Sequence, residues 1–330
     1  MTPSQATRRK AIVRKLRIFA IYFLLIALLY FALRNAPLSD IWETLNKLRV
    51  WQVLTLFGIN IVIYVLITLR WWLIVHAENK SIPFFPLLTI RVSAFGISYF
   101  TFGPQMGGES LQVLYLEHKY GMTYTRATST VVLDKLLEFL ANFILLSIGL
   151  TAVFQAGILS TADRSSFLIL IGLAIPLLWT PIHILLLYRG KYPVSAFLRK
   201  FSNNKFVRFI AASERLAGTF CRRHLSSLIS AILVSILATV GMVIEYFLIT
   251  SFLGIHLSFW QTIAAWTAGW LAFLVPLPGG LGALEASQVF ALGAFGVSAA
   301  SAIGVTLLIR ARDLSIGGLG LLIASRGVNK

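Results

Sequence analysis

Several apolar runs of about 18 residues or more follow one another along the chain, and they constrain the fold more than any other feature. Inside a bilayer no water is available to pair backbone N–H and C=O groups, so such a run crosses as a helix that pairs them internally. Hydrophobic residues make up 58% of the sequence and charged residues 12%, against roughly 25% charged residues in soluble domains. The sequence therefore predicts an all-α integral membrane protein and excludes a soluble fold.

The apolar pattern predicts six full transmembrane helices and two interrupted segments. The interrupted segments, 86–116 and 260–295, contain glycine and proline near their centres, which a straight membrane helix tolerates poorly. We predict that each is a re-entrant hairpin of two half-helices. The six crossings are expected over residues 18–33, 52–75, 127–154, 167–188, 226–253 and 297–324.

The distribution of lysine and arginine predicts the orientation of the chain. The basic segment 1–17, the basic loop 189–223 and the tail 325–330 are expected in the cytoplasm. No small-residue cleavage site follows Phe31, so we expect the first helix to be retained and residues 18–324 to form one membrane domain. This topology holds only if each interrupted segment returns to the side from which it entered. The expected location is a bacterial cytoplasmic membrane, with both termini cytoplasmic.

The net charge of +17 comes from basic residues in loops beside apolar spans rather than on a soluble face. Topology and anionic lipid headgroups explain this distribution better than a nucleic-acid partner does. The five histidines and the single Cys221 show no metal-ligand spacing. We therefore predict membrane lipids as partners, no nucleic acid, no metal site and no cofactor. A second copy of the chain and an enzyme of lipid or glycan synthesis stay open as further partners.

An internal repeat links the two interrupted segments. The pattern Glu-x-x-Gln-Val begins at Glu109 and again at Glu285, and the same register places Lys135 opposite Arg310. Three predicted crossings separate the two hairpins, and an odd number of crossings reverses orientation. The repeats are therefore predicted to be inverted, which is typical of transporters whose site lies near the bilayer midplane.

Both interrupted segments place glycines directly before the start of a helix. Glycine permits a sharp reversal of the chain, and a helix N-terminus presents unpaired N–H groups and partial positive charge to an anion such as a lipid phosphate. Alternatively, Glu109 and Glu285 cap these N-termini themselves, and the two roles are compatible. The hairpin residues in this interpretation are Gly103, Pro104, Gly107, Gly108, Pro276, Pro278, Gly279, Gly280 and Gly282.

Ionisable side chains inside the predicted spans are the candidate substrate-binding residues. Each costs about 2.5 to 3.5 kcal/mol at a helix centre on insertion scales, so it is expected to face a partner or a wet cavity. In one interpretation each cation pairs along its own helix, because Glu138 follows Lys135 by three residues. Asp313 follows Arg310 at the same spacing. In the other interpretation, Lys135 and Arg310 converge from opposite halves on one anionic headgroup. The candidate set is Arg91, Glu109, Lys135, Glu138, Glu285, Arg310 and Arg312.

Two further charges lie towards the ends of predicted spans. Arg70 stands beside Trp71 and Trp72, and we expect its side chain to extend to the cytoplasmic interface within an aromatic belt. Glu245 lies near the outer end of its span, where the sequence assigns it no role. No set of nucleophile and general base is evident, so we predict no catalytic residue and no enzyme.

Three of these features resemble the flippase-like family: the hairpin at Gly107-Gly108-Glu109, the run PLPGGLGALE over 276–285, and the closing span with Arg310. This family is the membrane region of lysylphosphatidylglycerol synthases and its stand-alone relatives. The resemblance extends from about residue 18 to residue 324. It implies translocation of a lipid with a charged headgroup between leaflets. The sequence has no large soluble domain like the one that transfers the amino acid from transfer RNA in full-length synthases, so aminoacyl transfer is not expected.

The expected function is flipping of a phospholipid or another charged-headgroup lipid by alternating access at a midplane site. Lys135, Arg310 and the half-helix N-termini would hold the phosphate. Glu109 and Glu285 would hold a cationic part of the headgroup. The lipid is expected to be an anionic or aminoacylated phospholipid or a polyprenyl-linked lipid.

Two alternative functions stay open at this point. One is a membrane enzyme or subunit in the assembly of lipid-linked glycans or glycolipids, which requires acidic residues at the aqueous boundary. The other is a purely structural partner that positions another enzyme, in which case the buried charges only pair with each other.

Overall fold

A computed structural model describes residues 42–43, 46, 48–101, 107–155, 175, 178–202, 204–275 and 277–327. All regular structure in these ranges is helical, as the sequence predicts. The basic segment 1–17, the predicted span 18–33, and Gly103, Pro104 and Pro276 lie outside the described residues. The helices are α1 (Val50–Glu78), α2 (Phe84–Phe100), α3 (Glu109–Tyr120), α4 (Tyr124–Gln155), α5 (Leu178–Tyr188), α6 (Pro193–Arg199), α7 (Lys205–Arg223), α8 (Leu225–Phe252), α9 (Phe259–Ala272), α10 (Ala283–Gly293) and α11 (Ala299–Gly327), with a 3-10 turn at Pro278–Gly280.

Three helices in the described part of the chain, α1, α4 and α8, are long and apolar enough to cross a bilayer. They contain 29, 32 and 28 residues. At 1.5 Å per residue each is about 42 Å long or more, against a hydrocarbon core of about 30 Å. They coincide with the predicted crossings 52–75, 127–154 and 226–253, so the chain is a multi-pass membrane protein.

Helix α11 begins two residues after the start of the predicted crossing 297–324, extends past its end, and also has 29 residues. It differs from the other long helices because Arg310, Arg312 and Asp313 lie near its middle. Helix α5 is an apolar helix at the end of the predicted crossing 167–188, most of which lies outside the described residues.

Each interrupted segment contains two short helices rather than one long helix. In the first segment, α2 has 17 residues and α3 has 12, and in the second α9 has 14 and α10 has 11. Even the longest of the four is only about 26 Å long, which is less than the hydrocarbon core. Within each segment the two short helices contact each other.

The packing of the helices follows the internal repeat. Helices α2, α3 and α4 of the first repeat correspond to α9, α10 and α11 of the second. Helix α2 packs along α11, and the equivalent helix α9 packs along α4. Helix α1 packs along α8. These contacts are those expected if a two-fold relation exchanges the two repeats.

Glycines allow α2 and α11 to approach backbone to backbone. A Cβ atom added at Gly96 would lie 2.5 Å from the carbonyl oxygen of Gly317, and one added at Gly320 would overlap the carbonyl of Val92. Small residues at such a crossing are typical of helix packing within membranes, where close van der Waals contact replaces the hydrophobic driving force.

Helices α6 and α7 lie within the basic loop 189–223, and α7 packs against α4 and α6. Glu214 on α7 accepts hydrogen bonds from the N–H groups of Val194 and Ser195 at the start of α6, at 3.0 and 2.8 Å. His183 on α5 lies 3.3 Å from the same carboxylate. Burial disfavours ionisation of Glu214, but these hydrogen bonds outweigh it and hold the pKa of the carboxyl below its ordinary value.

Candidate functional site

A cavity of about 240 Å³ lies between the two repeats. Residues of α1 to α4 and of α8 to α11 line it. Its volume is close to the lower end of the roughly 300 to 1,000 Å³ that small-molecule pockets occupy, which suits a headgroup rather than a whole lipid. Most of the lining is apolar or aromatic. The charged lining residues are Arg70, Arg91, Glu109, Lys135, Glu138, Glu245, Arg312 and Asp313.

Two arginines converge on the buried carboxylate of Asp134 in α4. Arg70 Nε lies 2.6 Å from Oδ1, and Arg91 Nη1 lies 2.6 Å from Oδ2. Arg70 also donates to Glu138 at 2.8 Å. The prediction that Arg70 extends to an aromatic belt is wrong, because these carboxylates hold its guanidinium inside the protein with 2% of the side chain exposed.

Lys135 connects α4 to the start of α3, the second short helix of the first interrupted segment. Its Nζ lies 3.2 Å from Glu138 Oε1 and 3.3 Å from Glu109 Oε1. The predicted pairing of Lys135 with Glu138 along α4 is therefore confirmed. Glu109 also accepts a hydrogen bond from the N–H of Gly107 at 2.7 Å, just before the start of α3, but it caps none of the first amides of that helix.

Arg310 lies on α11 and binds the turn between α9 and α10, the two short helices of the second interrupted segment. Its Nε lies 2.9 Å from Glu285 Oε1, and its guanidinium also donates to the carbonyl oxygens of Gly279 and Gly280. A further hydrogen bond of 3.3 Å reaches the hydroxyl of Tyr99 on α2. Arg310 therefore holds the turn before α10 in place and joins it to the other repeat.

Arg312 and Asp313 are the charged residues of α11 that line the cavity. Arg312 Nη1 lies 2.6 Å from Glu245 Oε2 on α8, and its Nε lies 2.8 Å from Asp313 Oδ1. Asn60 on α1 donates to Glu245 Oε1 at 2.9 Å. The predicted pairing of Arg310 with Asp313 is wrong, because each bonds a different partner.

The repeat is preserved in the contacts as well as in the sequence. Lys135 binds Glu109 in the first repeat, and the equivalent Arg310 binds Glu285 in the second. Glu285 also accepts a hydrogen bond of 2.8 Å from the N–H of Gly282, the N-cap residue of α10, so it caps its helix as the sequence indicates. The two cations have different surroundings, since Lys135 lines the cavity whereas Arg310 faces the break.

The hairpin glycines of the second break take conformations that favour glycine. Gly279, Gly280 and Gly282 have φ values of 55°, 63° and 77°. Gly108 in the first break has an ordinary φ, but a Cβ there would overlap the backbone of Ala94. Pro278 begins the 3-10 turn at the second break.

The sequence prediction omitted several residues of the cavity region. Asp134, Glu245 and Asp313 were not in the candidate set, although each is an ionisable residue within a predicted span, which is the signal that selected the others. Gln112 also lines the cavity, and the repeat pattern contains it. In the described ranges, no group of three or more histidine, cysteine, aspartate and glutamate side chains is placed to hold a metal ion.

The family model for the lysylphosphatidylglycerol synthase TM region matches residues 16–320. Neither the curated proteins nor the solved structures contain a significant match to the chain. The family match covers the first repeat, all but the last few residues of the second, and every charged residue of the cavity. The chain therefore belongs to the family of the lysylphosphatidylglycerol synthase TM region.

Proposed function

We propose that the chain translocates a phospholipid or another charged-headgroup lipid between the leaflets, with the cavity as the headgroup site. One observation carries the proposal: charged side chains from both repeats line a single cavity within an apolar helix bundle. Inverted repeats with broken helices around a central site are typical of transporters. Such a function requires no covalent step and therefore no nucleophile.

The proposal includes a specific membrane arrangement. Six helices cross the bilayer, α2–α3 and α9–α10 are re-entrant hairpins, and both termini lie in the cytoplasm of a bacterium. The short length of these four helices and the contact within each pair support the hairpins. The apolar side chains exposed on α1 and α8 support a lipid-facing exterior.

The energetics of the buried charges favour a binding role over a purely structural one. Replacing buried ion pairs by well-packed apolar residues is often neutral or stabilising by about 1 to 4 kcal/mol, so structural needs alone do not call for this array. The charges also surround an open volume instead of filling it. In alternating access, the headgroup enters this volume while the acyl tails remain in the lipid, and the repeats move relative to each other.

The test is headgroup accessibility in vesicles that contain the purified protein. Phospholipids labelled on the headgroup are exposed to a membrane-impermeant quencher, and the rate at which inner-leaflet label becomes accessible is measured with and without ion gradients. We expect faster exchange than in empty vesicles. Equal rates in protein-containing and empty vesicles under every gradient would refute lipid translocation.

A matched pair of variants assigns the exchange to the cavity. Arg91→Gln removes a cation that lines the cavity, and we expect it to slow exchange. Arg126→Gln removes an arginine that is half exposed and pairs with Glu78 outside the cavity lining, and we expect the wild-type rate. Equal effects of the two substitutions would contradict the assignment of the site.

A further inference from the structure

A single arginine serves two buried carboxyl groups beside the cavity. Arg312 Nη1 lies 2.6 Å from Glu245 Oε2, and Arg312 Nε lies 2.8 Å from Asp313 Oδ1. The side chains of Glu245 and Asp313, which we call the carboxyl pair, are 3% and 5% exposed. All three residues line the cavity. Two carboxyl groups therefore share one guanidinium in a buried place that borders an open volume.

The buried carboxylate on α4 has no such shortage of cations. Asp134 binds Arg70 and Arg91, each at 2.6 Å, so its negative charge is compensated twice. In the described part of the chain, the carboxyl pair forms ion pairs with its one shared arginine only. A buried charge without a partner of its own is costly. The carboxyl pair is therefore the place where a second positive charge is needed.

A proton is the simplest positive charge that meets this need. Burial disfavours an ionised carboxyl group, and a second ionised carboxyl group close by disfavours it further. Two groups that interact in this way titrate as a pair. Glu245 accepts a hydrogen bond of 2.9 Å from Asn60 in addition to its bond with Arg312, whereas within the described ranges Asp313 accepts only from Arg312. The proton is therefore expected on Asp313 rather than on Glu245.

The other ionisable groups near Asp313 do not replace this proton. Tyr64 on α1 and Tyr99 on α2 lie within electrostatic range of Asp313, and tyrosine is uncharged at neutral pH. Arg310 lies on the same helix as Asp313, but Glu285 and the turn between α9 and α10 bind its guanidinium. The charge of the carboxyl pair is thus left to Arg312 and to exchange with water in the cavity.

We infer that the carboxyl pair is a proton-binding site that couples lipid translocation to a pH gradient, with one proton carried per lipid. This inference rests on the proposed function. Without the proton, both carboxylates hold Arg312, and their excess negative charge repels a lipid phosphate. With the proton, one side of the guanidinium is released towards the cavity and can bind the phosphate. Proton and phosphate therefore favour each other's binding, and this coupling is reciprocal. Sites for a coupling ion are typical of the region between inverted repeats.

The proton comes from water and returns to water. At the acidic face, water donates H⁺ to the carboxylate of Asp313, which gains an O–H bond and gives up its contact with Arg312. At the alkaline face the phosphate leaves, the O–H bond breaks, and H⁺ passes to water while Arg312 returns to the carboxylate. No bond of the lipid breaks, and no electron is transferred.

The test uses vesicles that contain the purified protein and a trace of acyl-labelled phosphatidylglycerol or, separately, phosphatidylethanolamine. Valinomycin with equal potassium on both sides holds the membrane potential at zero, and a difference of about one pH unit is imposed in either direction. We expect labelled lipid to accumulate in the leaflet that faces the alkaline side, towards a ratio of about tenfold, which corresponds to about 1.4 kcal/mol for one proton. A membrane-impermeant quencher measures the fraction in each leaflet.

Two substitutions assign the coupling to the carboxyl pair. Asp313→Asn resembles the protonated side chain but cannot exchange the proton, so we expect exchange faster than in empty vesicles without accumulation at either face. Glu245→Gln leaves one carboxylate for one arginine, which needs no proton, and the same result is expected. The control Glu78→Gln changes a carboxylate that pairs with Arg126 outside the cavity lining, and we expect the wild-type ratio.

Infrared spectroscopy measures the proton without transport. In a detergent that contains no ester, we expect wild-type protein at pH 7 to show the C=O band of a protonated carboxyl group, and this band should weaken as the pH rises. The band should be lost in Asp313→Asn and kept in Glu78→Gln. Since asparagine resembles the protonated side chain, we also expect Asp313→Asn to unfold near the wild-type temperature.

The outcomes separate this inference from the proposed function. If neither lipid exchanges faster than in empty vesicles, lipid translocation itself is refuted. If lipid exchanges but no pH gradient makes it accumulate, translocation stands and proton coupling is refuted. Accumulation that Asp313→Asn and Glu245→Gln leave unchanged, or a wild-type spectrum without the protonated band, overturns the assignment to the carboxyl pair. Loss of all exchange in both variants at wild-type unfolding temperatures also overturns it, because the pair would then be required for binding rather than for coupling.

Discussion

Asp134 binds two arginines at once, and its carboxylate is completely buried. Removing one partner of a buried charge pair costs about 3 to 5 kcal/mol, because the remaining charge is left unpaired. We therefore expect Asp134→Asn to lower the thermal unfolding temperature of the detergent-solubilised protein substantially. Glu78→Gln breaks the more exposed pair with Arg126, which is worth only about 0 to 1 kcal/mol. Similar unfolding temperatures for the two variants would contradict a structural role for Asp134.

Cys221 on α7 is buried, and burial raises the pKa of its thiol to about 11. Thiol reagents attack the thiolate, which is scarce at neutral pH when the pKa is this high. We expect the folded protein to resist maleimide at pH 7 and the denatured protein to react, as measured by mass spectrometry. Rapid modification of the folded protein at pH 7 would show that the helices packed around α7 do not cover the thiol.

Residue-level predictions from the sequence succeed where partners are close along the chain. The helix cap at Glu285 and the contact of Lys135 with Glu138 both follow from spacings of three residues. Arg70 was misplaced because its partner Asp134 is 64 positions away. No local pattern specifies which face of α1 packs against α4, so the aromatic neighbours of Arg70 were a misleading guide.

At the level of elements, the contact between α2 and α11 depends on glycine. A Cβ at Gly96 would meet backbone atoms of α11, which a side-chain rotation cannot relieve. We expect Gly96→Ala to destabilise the protein by about 1 to 3 kcal/mol, the usual cost of overpacking. At Gly58 on α1 a Cβ would meet nothing within 4 Å. Gly58→Ala should therefore be neutral or stabilising by up to about 1 kcal/mol, since alanine favours helix. Equal unfolding temperatures for these variants would argue against the close approach.

The docking of α6 on α7 depends on ionised Glu214. Because its pKa is depressed, the carboxylate stabilises the folded state above the unfolded value of about 4.3, and this contribution is lost as the pH falls through the lower folded value. We expect Glu214→Gln to lower the unfolding temperature at pH 7, and the difference from wild type should shrink as the pH falls below about 4. A difference in unfolding temperature that stays constant over this pH range would show that the charge of Glu214 does not stabilise the fold.

The extent of the elements was easier to predict than their arrangement. Helices α4 and α8 differ from the predicted crossings 127–154 and 226–253 by one to three residues at each end, because an apolar run in a membrane protein has few alternatives to a helix. The pairing of α2 with α11 and of α9 with α4 was not predicted. It depends on the close approach of glycine-containing surfaces that are far apart in sequence.

For the whole molecule, the proposed function requires that water reach the cavity from at least one face. Asn142 lines the cavity at 7% exposure, and Val132, on the same helix, is exposed on the outside of the bundle. We expect a small membrane-impermeant thiol reagent to modify Asn142→Cys in vesicles, and added water-soluble phospholipid headgroup analogues to slow the reaction. Val132→Cys should stay unmodified, because hydrocarbon excludes both water and the thiolate. The native Cys221 contributes little background, since its thiol is buried. If Asn142→Cys is sealed from both faces in every tested gradient, no headgroup can reach the charged residues, and alternating access at this cavity is refuted.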